Sequence, residues 1–161
     1  SLAGVLPTIR SRCVSFAIAP VSPADCARYC TAHGVDKKTA ALYSELFDGH
    51  IGTVLTAARD KARTEQVDKA MELARAAQAG DSYTAAVLLA PYEKDKAGAA
   101  ALLRDLRAVA AAGLQGSPHA PVQGQQAQRT LRLAEAAIQR LGAQVNPKIV
   151  LTVFAARLAH A

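Results

Sequence analysis

From Thr64 onward, apolar side chains return every three or four residues, and glycine or proline punctuates each run. That spacing lays a stripe along one side of a helix and does not fit the two-residue alternation of a strand. Val67, Ala70, Met71, Ala74 and Ala77 mark the first run, closed by Gly80. Tyr83 to Leu89 make a short apolar helix stopped by Pro91. Ala99, Leu102, Leu103, Leu106, Val109 and Ala110 make a third, stopped by Gly113. Leu114 to Gly124 contains Gly116, Pro118 and Pro121 and reads as an exposed loop. Leu131, Ala134, Ile138 and Leu141 line a fourth helix. Asn146 then offers an N-cap and Pro147 a first-turn proline for a last helix with Ile149, Val150, Val153, Phe154 and Leu158. Alanine supplies much of the 51% apolar content, and aromatics reach only 4%. Alanine forms helices best and lets them pack closely, so the expected fold class is mainly all-α.

Upstream, the helices shorten. Pro20 and Pro23 mark a boundary, and Ser22 or Pro23 starts a helix through Cys26 and Cys30 that Gly34 ends. Asp36 caps the next, with Ala40, Tyr43, Leu46 and Phe47 on one face, and Gly49 ends it. A third runs from about Ile51 to Asp60. Before them, Pro7 suits the first turn of a short helix, and Cys13-Val14-Ser15-Phe16-Ala17-Ile18 reads as one strand. A lone strand is not stable, so it is expected to belong to a sheet whose other strands lie upstream.

The 161 residues suffice for one or two compact domains. No apolar run approaches the roughly 20 residues needed to span a bilayer, and no basic-then-apolar leader opens the chain, so no membrane partner is expected. Three cysteines, an odd number without framework spacing, fit a reducing compartment, with the cytoplasm as the expected location. A phosphate-cradling loop needs lysine directly after its second glycine, and no glycine here is followed by lysine. Gly34-Val35-Asp36-Lys37-Lys38-Thr39 has the wrong spacing, so ATP binding by this chain alone is not expected. The net charge of +6 leaves room for an acidic partner such as DNA. Yet Asp68-Lys69, Glu93-Lys94-Asp95-Lys96 and Arg104-Asp105 interleave the two signs, which favours solvated helix faces.

Cys26, Cys30 and His33 stand at i, i+4 and i+7, but a structural zinc site wants four ligands, and core packing of two thiols is the preferred reading. His50, His119 and His160 have no carboxylate or serine at a spacing that implies catalysis. Arg129 and Arg132 share a helix face that could meet a neighbouring helix or DNA, with a solvated face as the default.

Leu6-Pro7-Thr8-Ile9-Arg10-Ser11-Arg12-Cys13 is the most specific stretch. It resembles the signature of bacterial clamp-loader subunits of the AAA+ class, above all the delta-prime family. That resemblance implies that Arg12 acts as a trans arginine finger toward the γ-phosphate of ATP held by a neighbouring subunit, with Ser11 and Cys13 supporting the motif. A guanidinium suits the role because it is permanently charged, planar and able to donate two hydrogen bonds to one phosphate. The resemblance also implies a longer parent protein. Residues 1–20 would then close a nucleotide-binding domain, 21–61 form a three-helix lid, and 62–161 form a five-helix collar for oligomerisation. Phe47 to Leu55 resembles the delta-prime lid, where Gly52 replaces the nucleotide-sensing arginine of the ATP-hydrolysing gamma-type relatives. Close approach of two lid helices would explain the same glycine. Implied partners are the gamma/tau and delta subunits, and through them the sliding clamp and primed DNA of the DNA polymerase III holoenzyme. Neither catalysis, nor a cofactor, nor a metal is expected in this segment itself; a zinc module, where present, lies upstream. A gamma/tau-type ATPase subunit and an unrelated helical interaction scaffold are the alternatives.

Overall fold

A computed structural model describes residues 12, 14, 21–143 and 145–159. Among them the regular structure is entirely helical, in eight α-helices and one 3-10 turn. Three short helices come first: α1 (Pro23–Ala32), α2 (Lys37–Leu46) and α3 (Ile51–Arg59). The other five are α4 (Lys61–Ala79), α5 (Ser82–Leu89), α6 (Lys96–Leu114), α7 (Gly124–Gly142) and α8 (Pro147–Ala159), with the 3-10 turn Ala90–Tyr92 after α5. The anticipated strand Cys13–Ile18 and the short helix at Pro7 lie outside the described residues.

Side-chain caps set most of the helix starts. Ser22 Oγ accepts the Asp25 N–H, and Asp36 Oδ2 accepts those of Lys38 and Thr39 at 3.0 and 3.1 Å. Asp81 and Asp95 do the same for Thr84 and Gly98, each at 2.9 Å. Each cap satisfies a backbone donor that the first helical turn leaves open. Asp60 works twice, as the last residue after α3 and as the N-cap of α4, accepting from the Ala62 N–H at 3.0 Å. α4 therefore begins at Lys61, three residues before the apolar periodicity becomes visible at Thr64.

α6 lies chiefly against α7 and α4, while α8 covers α5 and α7. α1 packs on α2, and α3 bridges α2 to α4. Leu73, Leu89, Leu102, Leu103, Leu106, Val109 and Leu141 fill the centre, with Val54 and Tyr43 extending the same core under the short helices. Many intervening contacts are alanine, including Ala70, Ala74, Ala77, Ala99, Ala110, Ala134 and Ala137, all buried.

One expectation about the α6–α7 connection changes and another is refined. Gly113 does not end α6; it is buried within the helix, which continues to Leu114. A Cβ on Gly113 would overlap the Val122 carbonyl, so the glycine serves the close passage of the returning chain. That chain is exposed over most of its length, as expected, but Ser117, Ala120 and Val122 turn inward and are buried. Gln123 holds it in place: its Nε2 donates to the carbonyls of Ser117 and Ala120, both at 2.8 Å, and its N–H donates to Gln78 Oε1 at 2.9 Å. Glycine and proline signal that a connection is near, not which of its residues turn inward.

Candidate functional site

Arg12 stands exposed in a turn. Ser11, Cys13 and His160 lie outside the described residues. Gly52 sits in the first turn of α3, and among the described residues nothing lies within 4 Å of a Cβ built on it. Helix–helix approach therefore does not explain this glycine, and the position has room for a longer side chain. His50 precedes α3 without a side-chain cap bond, and His119 is an exposed residue of the α6–α7 connection.

Cys26 and Cys30 are fully buried in α1. Burial, with Cys26 close by, raises the Cys30 thiol above its ordinary pKa and disfavours the thiolate needed for nucleophilic or redox chemistry. His33 stacks on Tyr29 with ring centroids 4.0 Å apart, and its Nδ1 is 2.8 Å from the Tyr29 carbonyl oxygen. Among the described residues no cluster of three or more His, Cys, Asp or Glu is arranged to hold a metal.

A polar cluster ties α4 to α6 and reaches the end of α2. Arg63 of α4 forks onto Asp105 of α6, with Nη2 donating to Oδ1 at 2.6 Å and Nη1 donating to Oδ2. Gln66 Nε2 adds a bond to Oδ2 at 2.8 Å. The Arg63 guanidinium also lies over the Phe47 ring, 5.4 Å from its centroid, and Phe47 meets Tyr43 edge-on at 5.5 Å. The Asp105 hydrogen bonds favour the charged form of Arg63, whereas burial pushes the Tyr43 hydroxyl above its usual pKa. Nearby, Ser117 Oγ donates to Glu45 of α2. With three donors converging on Asp105, the cluster acts as a pin between helices.

α5 and α8 differ from the other helices of the bundle. Both are apolar around most of their circumference, and such a helix is normally enclosed on all sides. Here only their inner faces are covered. Tyr83 is 78% exposed and Val87 53% on α5, while Ile149 is 59% and Val153 38% exposed on α8. Between the helices runs a 340 Å³ groove floored by Ala86, Leu89, Leu151 and Ala155, with Tyr83 and Glu93 at its edges. Sequence reasoning placed both helices and passed over this face, although the lack of a polar side in Ser82–Leu89 was readable. Arg129 and Arg132 do share one face of α7, where they line a 400 Å³ depression.

Among the described residues no helix is long and apolar enough to cross a membrane. No family model, curated protein or solved structure matches the chain.

Proposed function

We propose that the chain is an assembly module of a bacterial clamp loader of the delta-prime type, and that Arg12 acts on ATP bound by an adjacent subunit. The observation that carries the assembly part is the unpartnered apolar face of α5 and α8. Burying a valine or isoleucine side chain contributes about 1.5–3 kcal/mol. Four large exposed apolar side chains, Tyr83, Val87, Ile149 and Val153, stand on adjoining helices and favour contact with a neighbouring helical subunit. The resemblance of residues 6–13 supplies the role of Arg12, and Arg12 is exposed, as a residue acting across a boundary needs to be. Gly52 supports delta-prime over the gamma/tau alternative, because the site has space for a sensing arginine and the chain does not place one there.

The chemistry asked of Arg12 is electrostatic. As the γ-phosphoryl group transfers to water, negative charge on its oxygens is stabilised by a guanidinium held in place beforehand, an effect worth about 10³–10⁵ in rate for well-characterised fingers. The lid and bundle residues take no part in bond making. They hold the subunit so that Arg12 faces its neighbour, and polymerase activity belongs to the holoenzyme.

Assembly is tested by placing charge on the apolar face. A Tyr83→Asp, Ile149→Asp variant, mixed with bacterial clamp-loader ATPase subunits, is expected to lose at least about tenfold in association by sedimentation, from loss of only about 1.4 kcal/mol. Retention of full association by a folded variant assigns the contact elsewhere. A chain that ignores those subunits altogether is an unrelated helical scaffold.

A further inference from the structure

The net charge of +6 is unevenly distributed. Residues 1–95 carry eleven basic and eleven acidic side chains, whereas residues 96–161 carry eight basic and two acidic. The excess therefore belongs to the last three helices, and six of those eight basic residues are arginine. On α7, steps of about 100° per residue put Arg129, Arg132 and Arg140 within one face. Arg129 Nη2 donates to the Arg157 carbonyl at 2.8 Å, which brings exposed Arg157 of α8 beside them. Glu135, the only acid of α7, turns toward α6, its Oε1 4.0 Å from Arg107 Nη1. Among the described residues, Arg129, Arg132, Arg140 and Arg157 make no ion pair.

We infer that this face binds the phosphate backbone of duplex nucleic acid. Arg129 and Arg132, one helical turn apart, repel one another, and a polyanion laid across them removes that repulsion. Arginine forks match phosphate oxygens in a way that lysine does not. Arg129 and Arg140 lie about 16 Å apart along the helix axis, which covers several phosphates of one strand at about 3.4 Å each. A small anion could engage only one or two of these arginines at a time. Gln125, Gln126 and Gln128 border the same depression and add neutral donors of the kind that position a sugar–phosphate backbone. α7 carries no Phe, Tyr or Trp, so it offers no platform for stacked single-stranded bases, and duplex is the better fit. The inference stands on charge and geometry alone and is independent of the subunit assignment.

The test is fluorescence anisotropy of the 161-residue chain with labelled duplex DNA of mixed sequence. With four arginines engaged, affinity is expected to fall about 10²-fold between about 50 and 200 mM salt. Arg132→Gln with Arg140→Gln removes two exposed charges that make no side-chain hydrogen bond among the described residues, so the fold is retained, as circular dichroism checks. That variant should lower the slope of log affinity against log salt by about two units. Lys37→Gln with Lys38→Gln, at the start of α2, should leave the slope unchanged. An unaltered slope in the arginine variant overturns the proposal. So does competition by millimolar inorganic phosphate, preferred binding of polyglutamate or anionic vesicles, or tighter binding of single-stranded than duplex DNA.

Discussion

Asp36 and Asp81 show how single side chains tie this fold to pH. The Thr39 N–H, followed by that of Lys38, holds the Asp36 carboxyl below its ordinary pKa; the Thr84 hydroxyl and N–H do the same for Asp81. A carboxyl depressed in the folded state stabilises the fold above its unfolded pKa of about 3.9 and loses that contribution as pH falls through the lower folded value. Urea denaturation followed from pH 6 to pH 2 should therefore show stability falling mainly below about pH 4. Asp36→Asn should flatten that acid limb, because the amide can still accept the cap bonds but no longer titrates. In the polar cluster, Asp105→Ala strands Arg63 and Gln66 without their acceptor. It should lower stability by about 3 kcal/mol, since Arg63 keeps some access to water. The buried thiols make a kinetic prediction: Cys26 and Cys30 should resist a thiol reagent in native protein and react on unfolding, as mapped by mass spectrometry.

Two glycines that look alike in the sequence behave oppositely in their helices. Gly113→Ala would gain helix propensity of about 1 kcal/mol but drive a methyl into the Val122 carbonyl, so denaturation should show a net loss of about 1–3 kcal/mol. Gly52→Ala meets nothing among the described residues and should stabilise the protein by up to about 1 kcal/mol in the same assay. The sequence reading could not separate these cases, because helical spacing reports which side is buried and not which backbone passes nearby. It did place the eight helices, since Asp36, Gly80, Asn146 and Pro147 carry their local meaning without tertiary context. The exposed character of 115–123 was legible, but its buried anchors Ser117, Ala120 and Val122 were not, because the loop is tied down partly by Gln78 and Gln123 meeting across 45 residues of chain. The Arg63–Asp105 pin escaped for the same reason, its partners being 42 residues apart. At the site, the resemblance around Arg12 rests on sequence alone, since of residues 6–13 the described ones include only Arg12. The unpartnered face of α5 and α8 appears only once their inner sides are seen to be satisfied.

At the scale of the whole molecule, the short helices and the long bundle share one continuous apolar core and are joined by Arg63 over Phe47 and by Ser117–Glu45, while Arg63–Asp105 pins α4 to α6 within the bundle. Two outer surfaces are left with contrasting chemistry, one apolar on α5 and α8, the other arginine-rich on α7 and α8. The proposed assembly uses the first to hold the subunit in a ring and Arg12 to act across the boundary that results. The decisive measurement is ATP hydrolysis by the protein reconstituted with bacterial clamp-loader ATPase subunits, with wild-type chain against Arg12→Ala. The expected result is turnover lowered by about 10³-fold or more while sedimentation shows the complex still assembled. Undiminished turnover in an intact complex carrying Arg12→Ala would contradict a trans-acting role for this arginine.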